Sequence, residues 1–138
     1  MASNNIKVTY NSGMNFSADM NGHILQIDTD QASGGNNLGP RPKMLMLASL
    51  AGCSGFDVVS ILNKMRVTFS DFTINVEGNL KDTEPSLYDK ITLLYSIRVN
   101  KEDEPKVEKA VKLSKEKYCG VSKMYESFAT VVFTIAYL

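Results

Sequence analysis

Two cysteines, Cys53 and Cys119, are the side chains best suited to covalent chemistry in this 138-residue chain. Cys53 is flanked by Gly52, Ser54 and Gly55, so little bulk surrounds its sulfur and another group can approach it closely. Cys119 precedes Gly120 just past an expected helix. Sixty-six positions separate the two, which excludes a CxxC metal or redox motif, so any pairing must come from the fold. Free cysteines also serve as small buried hydrophobes, and composition alone leaves both readings open. Zinc is not expected, because the two thiols and the single histidine, His23, show no ligand spacing, and His23 beside Gly22 reads as an exposed turn residue. The chain holds no G-x-S-x-G, phosphate-binding loop or dinucleotide motif. Asp57, Glu77 and Glu84 show no pairing that sequence establishes.

The elements that must position these sulfurs follow from hydrophobic periodicity. Hydrophobic residues make up 43% and charged residues 22%, which suits one soluble domain spanning 1–138 with a real core. The first thirty residues alternate in period two between turn signals, of which Asn21-Gly22 is the tightest, and read as an antiparallel meander. Residues 30–42, with Gly34, Gly35, Pro40 and Pro42, read as a loop without regular structure. A helix follows from about Lys43 to Met65, with Arg66 at its end. Strands are expected over roughly 67–80 and 87–99, the second with Ile91, Leu93, Tyr95, Ile97 and Val99 on one buried face. Acidic residues and Pro105 open a second helix that stops near Cys119. A short helical turn over Val121 to Glu126 and a β-prone strand from Phe128 to Tyr137 complete an α+β chain with antiparallel sheets.

Met44 to Leu62 is a run in which only Asp57 is charged, and it passes as a membrane-span candidate. Asp57 near a bilayer centre would cost roughly 2.5 to 3.5 kcal/mol, and the surrounding segments are amphipathic. A long, fully buried central helix is the expectation, and burial on all sides in so small a chain calls for a second subunit. Fifteen basic and fifteen acidic residues cancel, so no field draws the chain to nucleic acid. Met1-Ala2-Ser3-Asn4-Asn5 carries no basic region followed by an apolar run, and the expected location is the cytoplasm, where thiols stay reduced.

The segment from Gly39-Pro40-Arg41-Pro42-Lys43 through Ala51-Gly52-Cys53-Ser54-Gly55-Phe56-Asp57 to Lys64-Met65-Arg66 resembles the central-helix signature of the OsmC/Ohr family. Cys119-Gly120-Val121-Ser122-Lys123 resembles that family's second cysteine motif, and the order of elements matches over nearly the whole chain. The form of the first motif is closer to the general OsmC-like branch than to the dedicated organic hydroperoxide resistance enzymes. The resemblance implies an intertwined homodimer with sites at the subunit interface and a thiol peroxidase cycle on organic hydroperoxides. In that cycle Cys53 becomes a sulfenic acid and Cys119 resolves it to a disulfide. An external dithiol, lipoyl or other, reduces the disulfide, and no metal or organic cofactor is implied. The alternative is a non-catalytic family member that binds a small hydrophobic ligand at the interface. Dedicated family peroxidases carry an arginine in the N-terminal strands and a glutamate ten positions before the first cysteine. Residues 1–40 contain no arginine and Lys43 occupies the second place, which leaves Arg41 and Lys43 as candidates to supply positive charge. Cys53 is expected to be the more reactive thiol, because Cys119 is expected at a helix C-terminus, where the dipole disfavours a thiolate.

Overall fold

A computed structural model describes residues 2–138. Its contacts divide the chain into two compact units, Met1–Met46 and Leu47–Leu138.

In the first unit, β1 (Lys7–Ser12), β2 (Asn15–Met20) and β3 (His23–Ile27) pair in order as an antiparallel meander. Asn21 and Gly22 both take positive φ, 57° and 90°, which matches the twist of the hairpin that joins β2 to β3. Val8 pairs with Ala18 and Tyr10 with Phe16, which puts apolar side chains on one face. Ala18 is buried on that face, but the β1 side of it is exposed, with Val8 at 48% and Tyr10 at 58%.

The segment expected to lack regular structure is ordered by carboxylates. The buried Asp28 accepts hydrogen bonds from the backbone N–H groups of Thr29 (2.7 Å), Asn36 (3.3 Å) and Leu38 (3.2 Å). These donors, Thr29 foremost, hold its carboxyl below the ordinary carboxylate range. Asp30 caps a 3₁₀ turn over Gln31–Ser33 by accepting from the Ser33 N–H. A Cβ at Gly35 would run into the Thr29 carbonyl, so only glycine allows this close approach.

Helix α1 (Pro42–Lys64) begins at a proline and runs on into the second unit. It closes where Val67 N–H reaches the Leu62 carbonyl around Arg66, which sits at φ 59°. Leu50, Ser54, Val58 and Leu62, spaced four apart, form its buried stripe. Each of the three apolar members contributes about 1.5–3 kcal/mol by leaving water. Within the single chain, the helix expected to be buried on all sides is covered along this one stripe. Phe56 is 82% and Met44 63% exposed. By length and composition alone, α1 is also apolar enough to cross a membrane.

The second sheet contains β4 (Phe69–Leu80), β5 (Tyr88–Val99) and β6 (Thr130–Tyr137) in that order. The central strand β5 buries Ile91, Leu93, Tyr95 and Ile97 completely, as its alternation predicts, while Val99 at its end is only half-buried. Phe72, Tyr95 and Phe133 stack across the three strands at 6.4 and 5.9 Å between ring centroids. The sequence reading of antiparallel sheets fails at β6, which runs parallel to β5 from Lys90 opposite Thr130 to Ile97 opposite Tyr137. The intervening helices return the chain to the end of the sheet where β5 began, and a parallel pair requires such a crossover. Those helices are α2 (Glu104–Leu113), continued by a π-helical turn over Ser114–Tyr118, and α3 (Gly120–Glu126).

Candidate active site

Cys53, Asp57 and Ser60 follow one another along α1, and Cys53 and Asp57, four positions apart, share a face. Both are half-buried and lie beside the buried stripe rather than in it. Facing them, the π turn carries Cys119 N–H to the Ser114 carbonyl, one residue further back than an α-helix would reach (2.8 Å). The chain then breaks at Cys119, whose backbone is extended at φ −79° and ψ 97°, and restarts as α3.

Cys119 is therefore not simply the end of a helix. It is also the N-cap of α3, and its Sγ accepts the Ser122 N–H at 3.3 Å. The helix C-terminus expected at Cys119 is there, but it is shared with the start of α3. What sets the acidity of Cys119 is burial. The residue is 1% exposed, and desolvation, with the Cys53 thiol beside it, pushes the Cys119 thiol up to about 12 against the Ser122 hydrogen bond.

The fold brings together residues sixty-six apart. The Cys53 and Cys119 sulfurs and a carboxylate oxygen of Asp57 all lie within 4.8 Å of one another. Both cysteines are free thiols. Asp57 was not legible as a site residue. The only signal was its place four residues after Cys53, and its role depends on Ser114, fifty-seven positions away. Ser114 Oγ donates to Asp57 Oδ2 at 3.0 Å and bonds Ser54 Oγ at 3.1 Å, and Ser54 in turn bonds the Tyr95 hydroxyl at 2.5 Å. Ser54, Ser114 and Tyr95 are fully buried, and desolvation raises the Tyr95 phenol above its ordinary value. A buried hydroxyl chain of this kind fixes its members, because each lost partner leaves a polar group stranded.

Beside Asp57 opens a cavity of about 370 Å³, lined by Ile61, Met65, Leu113 and Tyr118 with Lys64 and Lys109. The two basic residues singled out from the sequence lie in the first unit, whereas both cysteines lie in the second. Arg41 is engaged there by Asp30 at 2.7 Å and by Ser33 Oγ at 2.9 Å. Lys43 stands in the first turn of α1 and borders a hollow with Met14, Phe16 and Ile27. His23 opens β3 and is exposed.

A mixed sheet-and-helix fold in which a cysteine-bearing helix meets a second thiol defines the class of protein. Comparison with known proteins identifies that class. The family model described as OsmC-like protein matches residues 34–133, and the chain belongs to this family. It is 32% identical over 126 residues to protein YhfA of Escherichia coli K12, covering 91% of each. The crystal structure of a hypothetical protein from Aquifex aeolicus superposes with a TM-score of 0.86 at 28% identity, covering 100% of this chain and 98% of that one. An organic hydroperoxide resistance protein from Legionella pneumophila shares the fold at TM-score 0.69 and 16% identity, covering 99% and 98%.

Proposed function

We propose that this protein is a thiol-dependent peroxidase that reduces organic hydroperoxides in oxidative defence. The observation that carries the reading is the convergence of a half-buried and a buried thiol within 4.8 Å, from opposite ends of the second unit's sequence. The Cys53 thiolate attacks one oxygen of the O–O bond, the other oxygen leaves as an alkoxide that takes up a proton, and Cys53 becomes a sulfenic acid. Cys119 then gives up its proton and attacks that sulfur, hydroxide leaves as water, and a Cys53–Cys119 disulfide forms. An external dithiol, lipoyl or other, returns the pair to the reduced state by exchange. The apolar cavity beside Asp57 suits the organic part of such a substrate.

Two further parts of the reading concern the setting. The exposed Val8, Tyr10 and Phe16 of the first sheet and the exposed Phe56 favour a homodimer, because a lone chain rarely leaves so much apolar surface in water. A cytoplasmic location, with α1 covered by a second subunit rather than by lipid, fits two thiols kept reduced for turnover.

The test is turnover of cumene hydroperoxide with a dithiol, against hydrogen peroxide as the comparison. One equivalent of the organic peroxide should convert the reduced protein to the intramolecular disulfide, read by mass spectrometry under non-reducing conditions. The same cavity also favours a second reading, a family member that binds a small hydrophobic ligand without catalysis. Saturable binding of an apolar fluorophore by a protein whose thiols stay inert to peroxide would establish that reading instead.

A further inference from the structure

We infer that Cys53, Cys119 and Asp57 form a binding site for a borderline-soft divalent cation of the zinc type, and that occupancy silences the thiol pair. Three ligand atoms of two kinds, two sulfurs and one carboxylate oxygen, already lie within 4.8 Å of one another. Around a tetrahedral zinc with Zn–S bonds of about 2.3 Å and a Zn–O bond of about 2.0 Å, two sulfurs stand roughly 3.8 Å apart and sulfur and oxygen roughly 3.5 Å, so adjustments of up to about 1.3 Å close the site. Those shifts are within reach of side-chain rotation at two of the three positions, because Cys53 and Asp57 are only half-buried.

The surroundings are those of a metal site rather than of three unrelated side chains. Ser114 Oγ donates to Asp57 Oδ2 and is itself held by Ser54 and Tyr95, so the carboxylate is oriented from behind by a buried chain. The Ser122 N–H does the same for the Cys119 sulfur. Outer hydrogen bonds of this kind orient ligands and commonly change metal affinity 10- to 100-fold. Two thiolates select zinc or cadmium over magnesium and calcium, which prefer oxygen. Among the described residues the cluster supplies three ligands, and the half-buried side of Cys53 and Asp57 admits water as the fourth. A bound ion holds lone pairs of both sulfurs, so neither is free to attack a peroxide or to resolve a sulfenic acid. Conversely, a Cys53–Cys119 disulfide has no thiolates to offer, and metal binding and oxidation exclude each other.

The silencing rests on the proposed peroxidase activity; the binding does not. Protein kept reduced with a phosphine should therefore be titrated with cadmium in the absence of peroxide, following the sulfur-to-cadmium charge-transfer absorbance. Expected are one ion per chain, displacement by zinc but not by magnesium, and no band after diamide has joined the two sulfurs with two-electron reduction of its azo bond. Cys119→Ser should abolish tight binding, Asp57→Asn should weaken it at least 10-fold, and Ser114→Ala should weaken it about 10- to 100-fold. Alkylation of the unaltered chain covers the case of a variant that does not fold, because saturating zinc should protect both cysteines together. Absence of the band, or binding to Cys119→Ser and Asp57→Asn as tight as to the unaltered chain, would overturn the site. Binding without turnover would keep the metal site and remove the peroxidase reading. Turnover indifferent to saturating zinc, with no band, would do the reverse.

Discussion

The stretch that carries Cys53 is an unbroken helix, whereas the stretch that carries Cys119 widens into a π turn, breaks and restarts. The difference is one of exposure and of what each backbone can offer. On α1 the backbone is saturated by its own i→i−4 bonds and has no N–H to offer a sulfur, and Cys53 lies half-buried beside the buried stripe. At the break, the orphan N–H of Ser122 turns to the Cys119 sulfur and the residue is enclosed. One thiol is partly open to solvent, and the other is sequestered within 4.8 Å of it.

The largest expected effect follows from that division. Cys53→Ser should abolish consumption of organic hydroperoxide. Cys119→Ser should consume one equivalent per chain and then stop, with a sulfenic acid that excess peroxide oxidises further. Mass spectrometry of both variants reads the difference, and brief alkylation of the reduced protein should label Cys53 ahead of Cys119. Equal labelling would remove the distinction between the two regions.

The two regions are joined by the chain Tyr95–Ser54–Ser114–Asp57, in which Ser54 belongs to the Cys53 helix and Ser114 opens the π turn. Ser54→Ala should cost about 1–3 kcal/mol, because it leaves the fully buried Tyr95 hydroxyl without the bond Ser54 provides. The higher helix propensity of alanine returns only about 0.5 kcal/mol. Urea unfolding at constant m-value measures it, and a neutral result would show that the joint is not a structural one.

A smaller effect appears in alkali. The folded Cys119 thiol ionises only at about 12, whereas its ordinary value is 9.0. The unfolded chain therefore loses this proton first, and stability is complete below pH 9.0 and falls as pH rises through that window toward about 12. Burial also raises the Tyr95 phenol, so the same direction holds for it. Cys119→Ala should flatten the fall by the share of one proton, read from urea midpoints between about pH 8 and about pH 11. An unchanged slope would mean that the sulfur is not as enclosed as its position indicates.

The contrast between the regions also marks what was legible beforehand. The α1 boundaries, Arg66 as its stop and the alternation of β5 were readable because each is written in local periodicity and end signals. The two cysteine motifs were readable as a resemblance. Unreadable were the parallel pairing of β6, the π turn, and the membership of Asp57, Ser114 and Tyr95 in the site. Each of these depends on partners more than thirty positions away or on a single displaced hydrogen bond, and leaves no mark in a window of sequence. The loop ordered by Asp28 was unreadable for a more local reason, since its acceptor role appears only once N–H groups one, eight and ten positions further on converge on it.

The smallest predicted effect sits next to Cys119 and has an unusual sign. The Ser122 hydroxyl is fully buried and, among the described residues, has no hydrogen-bond partner. A stranded hydroxyl costs free energy in the folded state that the unfolded chain avoids by bonding water. The useful bond of this residue comes from its backbone, since the N–H that reaches the Cys119 sulfur survives any change of side chain except to proline. Ser122→Ala should therefore be neutral or stabilising by up to about 1 kcal/mol, with the alkylation preference for Cys53 unchanged. Chemical denaturation of the two proteins side by side measures it. A loss of more than about 1 kcal/mol would mean that the hydroxyl has a partner outside the chain. Repeating the measurement across protein concentration then identifies that partner, because a loss that deepens with concentration belongs to a second subunit packed against the break.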